Sequence, residues 1–307
     1  MPDLLNNTAS VRLVRARYGF IAYNSLDFVV GRSVEVYGEY YESEVQIFRQ
    51  LLRPGDVVVD VGANIGTHTV AMARLVGPSG TVVAFEPQTV IHQLLSANVA
   101  LNSLTNVHAL HAAAGERAGE IFAPDMNYAR PGNFGGVELG GTQGKAVPTM
   151  PLDEVAACQG ARLIKIDVEG MEGAVLAGAE KLLRSQRPVL YVENDRVKHS
   201  PDLIDRLRAF DYRVFWHFAP FFNPKNFAQH HQSIFPVGYC RNERGVYLNG
   251  LATNLICMPA ERDTKVKGFI EVGDRLEHPC KPEYRDRLTP GVPVLDWPRR
   301  PGRPSLP

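Results

Sequence analysis

The residues best suited to chemistry begin with a glycine-rich turn, Asp60–Gly66, which reads DVGANIG. A β-branched run precedes this turn, and a helical pattern from Thr67 to Val76 follows it. Glycines between a strand and a helix let the backbone approach a ligand, and the unpaired N–H groups of the helix then point towards it. The pattern therefore predicts a cofactor site formed by Asp60, Gly62, Asn64, Gly66, Thr67 and His68.

The spacing within the turn separates three kinds of ligand. A dinucleotide-binding turn has the order G-x-G-x-x-G, which Gly62, Asn64 and Gly66 do not match. A phosphate-binding loop ends in Gly-Lys-Ser/Thr, whereas Gly66 precedes Thr67 and His68. A single close approach of the backbone suits S-adenosylmethionine, which is the cofactor we predict. A turn that binds no ligand is the alternative.

A second acidic residue, Glu86, ends the next predicted strand in the sequence VVAFEP. In doubly wound sheets, an acid at this strand tip accepts hydrogen bonds from the two hydroxyls of a ribose. Pro87 can begin the following helix because its nitrogen needs no hydrogen-bond partner there. Ala113 lies in a run of small residues that leaves space for a flat adenine. The alternatives are a helix-capping role for Glu86 and plain tight packing for Ala113.

Further carboxylates follow two later strands, with Asp167 and Glu169 in KIDVEGME and Glu193 in PVLYVEN. Ligands of open α/β sheets collect beyond the carboxyl ends of the strands, so we expect these acids at the reaction end, with Asp167 also near the cofactor. The predicted cofactor, S-adenosylmethionine, donates a methyl group. If the methyl group is transferred to a hydroxyl, another group must accept the hydroxyl proton. The candidate catalytic residues are Asp167, Glu169, Glu193 and His217.

A metal ion offers a second route to an activated hydroxyl. Asp167 at one strand tip, with Glu193 and Asn194 at the neighbouring tip, supplies three oxygen ligands. Oxygen ligands suit Mg²⁺, which would draw the acceptor oxygens together and ease their deprotonation. The alternative is that Glu193 and Asn194 simply cap the turn before Ser200.

Strands and helices alternate along the chain after Pro54, which predicts an α/β fold with a doubly wound, mostly parallel sheet. Strands are expected at 56–61, 81–85, 107–111, 162–167, 188–193, 211–216 and 254–258. Helices are expected at 40–52, 67–76, 88–101, 172–184 and 201–209. The glycine-rich stretch 124–144 is expected to be a flexible loop.

The predicted organisation has three parts. Residues 1–53 form an N-terminal extension with a β-hairpin over 11–36 and a short helix. Residues 54–260 form the cofactor-binding domain, whose aromatic-rich insertion 217–250 covers the substrate side or packs against the hairpin or a second copy of the chain in a homo-oligomer. Residues 261–307 form a Pro/Arg-rich tail that contains PRRPGRP.

The composition narrows the classes of partner. The chain of 307 residues has 33 Lys and Arg and 33 Asp and Glu, so we expect neither nucleic acid nor an anionic membrane as its partner. The four cysteines are too scattered for a structural zinc site and are expected to be free thiols. Without a signal-peptide pattern or an apolar run of membrane-spanning length, a cytoplasmic protein is expected.

In order and spacing, DVGANIG, FEP, PLDE, KIDVEGME and PVLYVEN resemble the FkbM family of methyltransferases over residues 40–258. The resemblance implies a class I, Rossmann-like fold that binds S-adenosylmethionine through Asp60, Gly62, Asn64, Gly66 and Glu86. It also implies O-methylation of a small-molecule acceptor such as a sugar, a nucleotide-sugar or a natural product. The alternatives are a nicotinamide-dependent oxidoreductase and a cofactor-binding module without catalysis.

Overall fold

A computed structural model of the chain describes residues 10–242, 245–262 and 266–289. Its strands are β1 (Val11–Ala16), β2 (Gly19–Asn24), β3 (Val57–Val61), β4 (Thr81–Phe85), β5 (Val107–Leu110), β6 (Ala113–Ala114), β7 (Gly119–Ala123), β8 (Lys145–Met150), β9 (Ala161–Ile166), β10 (Val189–Glu193), β11 (Tyr212–Pro220), β12 (Gly238–Asn242), β13 (Gly245–Asn249), β14 (Leu251–Pro259) and β15 (Ile270–Glu271). Its α-helices are α1 (Val30–Tyr37), α2 (Glu42–Leu51), α3 (Thr67–Val76), α4 (Thr89–Leu101), α5 (Glu172–Ala177), α6 (Glu180–Gln186), α7 (Ser200–Ala209) and α8 (Pro282–Leu288).

Eight of these strands form the central sheet, in the order β15-β11-β14-β10-β9-β3-β4-β5. Neighbours from β10 to β5 run parallel, whereas β14 is antiparallel to both β10 and β11. The chain moves outward from β3 through β4 to β5 and then returns to β9 on the other side of β3, so the strand order reverses at β3. The predicted Rossmann-like α/β fold with a mostly parallel sheet is confirmed.

Apolar side chains of the central strands are buried on both faces of the sheet. Val58 belongs to the apolar cluster that contains Phe48 of α2 and Met72 of α3. The next residue, Val59, belongs to the cluster on the other face, which contains Leu203 of α7. The β-branched run before the glycine turn is therefore continuous, because a strand covered by helices on both sides has no polar face.

The predicted hairpin over 11–36 is shorter than expected. β1 and β2 pair antiparallel, but residues 30–37 form α1 instead of a strand. Apolar residues at positions 30, 34 and 37 are buried at helical spacing. The carboxylate of Asp27 accepts the N–H groups of Val29 and Val30 at 2.9 and 3.2 Å, which satisfies donors at the start of the helix. The prediction was wrong here because a helical period was taken for strand alternation.

The predicted helix 172–184 is divided into α5 and α6. A Cβ on Gly178 would lie 2.0 Å from a backbone oxygen, and the oxygen of Gly178 accepts the N–H of Asp153 at 2.9 Å. The carboxylate of Asp153 accepts the N–H groups of Lys181 and Leu182 at 2.9 and 2.8 Å. The break thus allows Asp153, from the PLDE motif, to cap the start of a second helix.

The stretch between β5 and β9 contains strands that the sequence did not predict. β6, β8 and β7 form a three-stranded sheet in that order. The stretch 124–144, predicted to be a flexible loop, connects β7 to β8, and its Phe134 is buried. The side chain of Gln88 donates to the backbone oxygen of Phe134 at 2.8 Å and accepts the hydroxyl hydrogen of Tyr128 at 3.0 Å. These contacts hold the loop against the start of α4.

The segments around the central sheet also pack on it. Within the predicted insertion 217–250, β12 pairs with β13 as an antiparallel hairpin. In the predicted tail, β15 pairs with β11 and α8 follows, whereas the motif at 298–304 lies outside the described residues. None of the helices in the described ranges combines the length and apolar character needed to cross a membrane. The domain limits at residues 53 and 260 stay a prediction.

Replacement of Asp153 tests the division of the helix. Asp153→Ala removes the acceptor for two N–H groups of α6, so we expect the free energy of unfolding to fall by about 1 kcal/mol in urea denaturation. Glu154→Ala is the matched control, because the neighbouring Glu154 is exposed and should change stability by less than about 0.5 kcal/mol. Equal losses in the two variants would contradict the capping role.

Candidate active site

A cavity of about 320 Å³ lies at the carboxyl ends of the central strands, where the strand order reverses. This is the usual ligand position in open α/β sheets. The predicted site residues that line it are Gly62, Asn64, Thr67, His68, Glu86, Pro87, Ala113, Asp167, Glu169 and Glu193. The predicted site residues that do not line it are Asp60, Gly66, Asn194 and His217.

The glycine turn brings two strand ends into contact. Gly62 has a φ of +80°, and a Cβ on it would lie 1.8 Å from the backbone oxygen of Asp167. Only glycine fits here, because the ends of β3 and β9 approach each other at this point. The N–H groups of Gly62 and Ala63 donate to the backbone oxygen of Phe85 at 3.1 and 2.9 Å. These two amides therefore join β3 to β4 and are not available to a ligand.

Glu86 lies at the tip of β4 with both carboxylate oxygens held by the backbone. Its Oε2 accepts the N–H of Asn64 at 3.0 Å, and its Oε1 accepts the N–H of Gln88 at 2.8 Å. Glu86 is 4% exposed, and burial raises its pKa to about 7. The carboxyl group is thus fixed at the cavity wall with lone pairs left for further donors.

Asp60 and Gly66 belong to the turn but support it from outside the cavity. The buried carboxylate of Asp60 accepts the hydroxyl hydrogen of Thr69 at 2.6 Å and lies 3.7 Å from Nζ of Lys165. Gly66 has a φ of +85°, and a Cβ on it would lie 2.6 Å from Leu95. Asp60 therefore joins α3 to β9 and Gly66 allows α3 to begin, whereas direct contacts of these two residues with the cofactor stay a prediction.

Lys165 connects this buried side of the turn with the acids at the strand tips. Its Nζ donates to Oδ2 of Asp167 at 3.0 Å, and its side chain reaches the cavity although it is only 3% exposed. Burial lowers the pKa of Lys165, but the carboxylates of Asp167, Asp60 and Glu44 raise it by more. The ammonium group therefore stays charged in a buried position.

A row of carboxylates continues along the tips of β9 and β10. Oxygens of Glu169, Glu193 and Asp195 lie within 4.8 Å of one another, and Arg196 forms ion pairs with Glu169 and Asp195. Burial and the neighbouring acids raise the pKa of Glu169 to about 8. Burial, followed by the charge of Asp167, raises the pKa of Glu193 well above its ordinary value. Within the described residues, the buried Oε2 of Glu193 has no hydrogen-bond partner.

Two members of the predicted metal-ligand set, Asp167 and Glu193, line the cavity, whereas the third, Asn194, does not. Nδ2 of Asn194 donates to Oγ of Ser200 at 2.9 Å, and Asn194 does not line the cavity. This amide ties β10 to the start of α7, and a ligand role for Asn194 stays a prediction. The acidic group with ligand spacing is instead that of Glu169, Glu193 and Asp195, in which Arg196 already pairs with two members. Magnesium gains no support from this arrangement.

His217, predicted to be a candidate base, does not line the cavity, and its catalytic role stays a prediction. It is buried in β11, where its Nδ1 is hydrogen-bonded to the hydroxyl of Tyr191 at 2.7 Å and its ring packs against Phe269. Burial lowers the pKa of His217 to about 4. Nδ2 of Asn254 donates to the Tyr191 hydroxyl at 3.0 Å and to Oε1 of Glu44 at 2.9 Å. His217 therefore ends a buried hydrogen-bond chain whose other end, Glu44, reaches the cavity.

Glu44 of α2 lines the cavity although no sequence motif pointed to it. Its Oε2 lies 3.5 Å from Nε2 of His68, and both residues are buried. Burial raises the pKa of Glu44 to about 8, whereas burial and the charge of Lys165 lower the pKa of His68. One feature of the sequence could have indicated Glu44. It occupies the same helical face as the buried Tyr41 and Phe48, where an acid is unexpected.

Aromatic side chains form another wall of the cavity. Tyr40 and Tyr41 precede α2, and Phe221 follows β11 in the predicted insertion. The ring centroids of Tyr41 and Phe221 lie 4.3 Å apart, and those of Tyr40 and Tyr41 lie 4.5 Å apart. The insertion also packs against the N-terminal extension, where Nδ2 of Asn223 donates to Glu39 at 2.8 Å. This wall is therefore built from segments that precede β3 and follow β11 in the chain.

The strand order of the central sheet and the position of its cavity define a class I methyltransferase fold. A family model described as the Methyltransferase FkbM domain matches residues 60–214, which is about half of the chain. The chain belongs to the FkbM methyltransferase family, and the resemblance identified from its motifs is confirmed.

Two relatives with assigned functions share part of the sequence. The chain is 35% identical to 31-O-demethyl-FK506 methyltransferase FkbM of Streptomyces tacrolimicus over 42% of this chain and 61% of that protein. It is 39% identical to methyltransferase sdnD of Sordaria araneosa over 25% of this chain and 29% of that protein. The chain thus spans less than two thirds of the length of either relative.

Solved structures with a similar fold are distant in sequence. The methyltransferase FkbM of Methylobacillus flagellatus is 17% identical with a TM-score of 0.40, over 70% of this chain and 50% of that one. An S-adenosylmethionine-dependent O-methyltransferase of Thermotoga maritima is 12% identical with a TM-score of 0.44, over 83% of this chain and 79% of that one. The fold assignment therefore rests on the strand order of the central sheet.

The close approach at Gly62 can be tested by adding one methyl group. Gly62→Ala places a Cβ against the oxygen of Asp167, so we expect the free energy of unfolding to fall by about 2 to 3 kcal/mol. Gly160→Ala is a matched control, because Gly160 has a φ of +79° but open space around its Cβ position. Urea denaturation of both variants separates the steric clash from the cost of the dihedral angle, and equal losses would contradict the close approach.

Proposed function

We propose that this protein transfers the methyl group of S-adenosylmethionine to a hydroxyl group of a small molecule. The observation that carries the proposal is that one cavity is lined by the glycine turn, by Glu86 and by the acids Asp167 and Glu193. Membership of the FkbM family supports methyl transfer as the reaction class. A homo-oligomeric state and a cytoplasmic location stay predictions.

The cofactor would lie along the tips of β3, β4 and β5. Ionised Glu86 can accept hydrogen bonds from ribose hydroxyls, and the small side chains of Ala112, Ala113 and Ala114 leave the cavity wall flat enough for a purine. The loop around Phe134, held by Gln88, contributes further lining residues at this end. When bound, S-adenosylmethionine supplies an activated methyl group, so the protein must mainly orient the acceptor and remove a proton.

Glu193 is the proposed proton acceptor. Its buried Oε2 has no hydrogen-bond partner among the described residues, and burial and the charge of Asp167 raise its pKa, so its ionised form is a stronger base than an ordinary carboxylate. The other two candidate acids are already engaged, because Lys165 donates to Asp167 and Arg196 pairs with Glu169.

The acceptor is proposed to lie against the wall formed by Tyr40, Tyr41 and Phe221. Aromatic faces stack on the apolar face of a sugar ring or on a flat natural product, and nearby polar groups orient its hydroxyls. Glu44 and Asn254 supply such polar groups on the same side of the cavity. A sugar, a nucleotide-sugar or a natural product is the acceptor class that this combination favours.

The cofactor can be tested through the pH dependence of its binding. The pKa of Glu86 is raised to about 7, so in the unliganded protein its carboxyl group is protonated at acidic pH. Ribose hydroxyls donate to the ionised form of this carboxyl group. Affinity for S-adenosylmethionine should therefore increase between about pH 6 and pH 8, by up to tenfold per pH unit below the pKa. In Glu86→Gln, calorimetry should give affinity about tenfold weaker and a flatter pH profile.

Glu154→Gln is the control for this experiment, because Glu154 is exposed and does not line the cavity. It should bind S-adenosylmethionine with the affinity and pH profile of the unmodified protein. Unchanged binding in Glu86→Gln would remove Glu86 from the site. Titration with a nicotinamide dinucleotide is the second arm, and binding of that compound but not S-adenosylmethionine would favour the oxidoreductase alternative.

An acceptor is first sought by incubating the protein with S-adenosylmethionine and sugars or nucleotide-sugars and recording a mass gain of one methyl group. With that acceptor, the turnover of Glu193→Gln is measured. Loss of a general base lowers turnover by about 10²- to 10⁴-fold, so we expect that range for kcat, with cofactor affinity unchanged. Glu172→Gln is the control, because Glu172 is buried nearby but does not line the cavity.

Two results would contradict this assignment. Full turnover in Glu193→Gln would exclude Glu193 as the proton acceptor. Binding of S-adenosylmethionine without methyl transfer to any compound in the screen would favour a cofactor-binding module without catalysis.

A further inference from the structure

The cavity is strongly acidic. Its described lining residues include the carboxyl groups of Glu44, Glu86, Asp167, Glu169, Glu193 and Asp195. Among the same lining residues, Lys165 is the one lysine or arginine. An anionic group that enters this cavity meets carboxyl groups along most of the wall, which repel it when they are ionised, and finds a single cationic side chain.

The proposed cofactor carries charges of both signs. Its sulfonium and ammonium groups suit the acidic wall, but its carboxylate does not. We propose that Lys165 binds the carboxylate in the amino acid portion of S-adenosylmethionine. This inference rests on the proposed function, and it assigns to Lys165 a binding role that none of the sequence motifs indicated.

The surroundings of Lys165 suit this role. Its Nζ lies 3.0 Å from Asp167 and 3.7 Å from Asp60, and an ammonium group has three donors. The side chain is held before any ligand arrives, so little conformational entropy is lost when a further acceptor binds. The residue also lies opposite Asp60 across the β3–β9 pair, two residues before Gly62 and the turn along which the cofactor would lie.

The ligand itself can be varied to test the inference. Decarboxylated S-adenosylmethionine keeps the sulfonium and ammonium groups, and its higher positive charge should favour an acidic cavity unless the carboxylate has a specific partner. The full-length protein should nevertheless bind S-adenosylmethionine about 10- to 100-fold more tightly in calorimetry, as expected for a buried charge-assisted hydrogen bond. 5′-Methylthioadenosine, which lacks the whole amino acid portion, gives the baseline for the nucleoside.

The variant Lys165→Gln should abolish or reverse this preference. Its affinity for S-adenosylmethionine should fall about 10- to 100-fold, whereas its affinity for decarboxylated S-adenosylmethionine and for 5′-methylthioadenosine should change by less than about threefold. Lys198→Gln is the matched control, because it removes one exposed positive charge near the same end of the sheet. That variant should keep the preference of the unmodified protein.

The possible results separate this inference from the proposed function. Equal affinity of the unmodified protein for the two adenosyl compounds, or an unchanged preference in Lys165→Gln, would overturn the role of Lys165 and leave the cofactor assignment intact. If none of the three compounds binds the unmodified protein, the proposed cofactor is overturned together with this inference. If Lys165→Gln does not fold, as judged by circular dichroism, the affinities of the unmodified protein and of Lys165→Arg for the three compounds are compared instead. That comparison then decides whether Lys165 binds the carboxylate.

Discussion

The contact between Gly62 and the backbone oxygen of Asp167 is the constraint on which the rest of the site depends. β3 and β9 are neighbours at the point where the strand order reverses, so the residues that follow them must share a small volume. A residue without a side chain in the turn lets the two strand ends converge. Within the strands, Asp60 of β3 lies opposite Lys165 of β9, two residues before the contact between Gly62 and Asp167. The carboxylate of Asp60 and the ammonium group of Lys165 face each other there. One glycine and one cross-strand ion pair thus fix the distance between the turn and the row of acids.

This arrangement is difficult to explain by stability alone. Burial of Glu44, Asp60 and Lys165 removes three ionisable groups from water, and at Glu44 and Asp60 the raised pKa shows that the attraction to Lys165 offsets only part of the cost of desolvation. Burial and the charge of Asp167 also raise the pKa of Glu193, so the ionised form of this carboxyl group is disfavoured at the same strand tips. Strongly shifted ionisable groups that converge on one cavity are typical of sites that bind or transform a ligand.

Sequence reasoning identified the central strands because they are buried on both faces, and it identified the lining turn because glycine spacing is a local property. It could not establish which way Asp60 and His217 point, since the orientation of a strand residue depends on the register with its neighbours. His217 lies opposite Asn254 on an adjacent strand, so its side chain joins a buried chain of hydrogen bonds. Glu44 was missed for a related reason, because its partner Asn254 is 210 residues away along the chain.

Some of the residues that line the cavity lie inside the family match, and others lie outside it. The match covers residues 60–214, which include the glycine turn, Glu86 and the acids of β9 and β10. Tyr40, Tyr41 and Glu44 come from the segment before it, and Phe221 and residues 247–254 come from the segment after it. If the members of the family share the proposed cofactor and differ in their acceptors, the turn and the strand tips are constrained in all of them, whereas the flanking walls are not. We therefore expect the cofactor half of the cavity to be common to the family and the selectivity for the acceptor to depend on these two flanking segments.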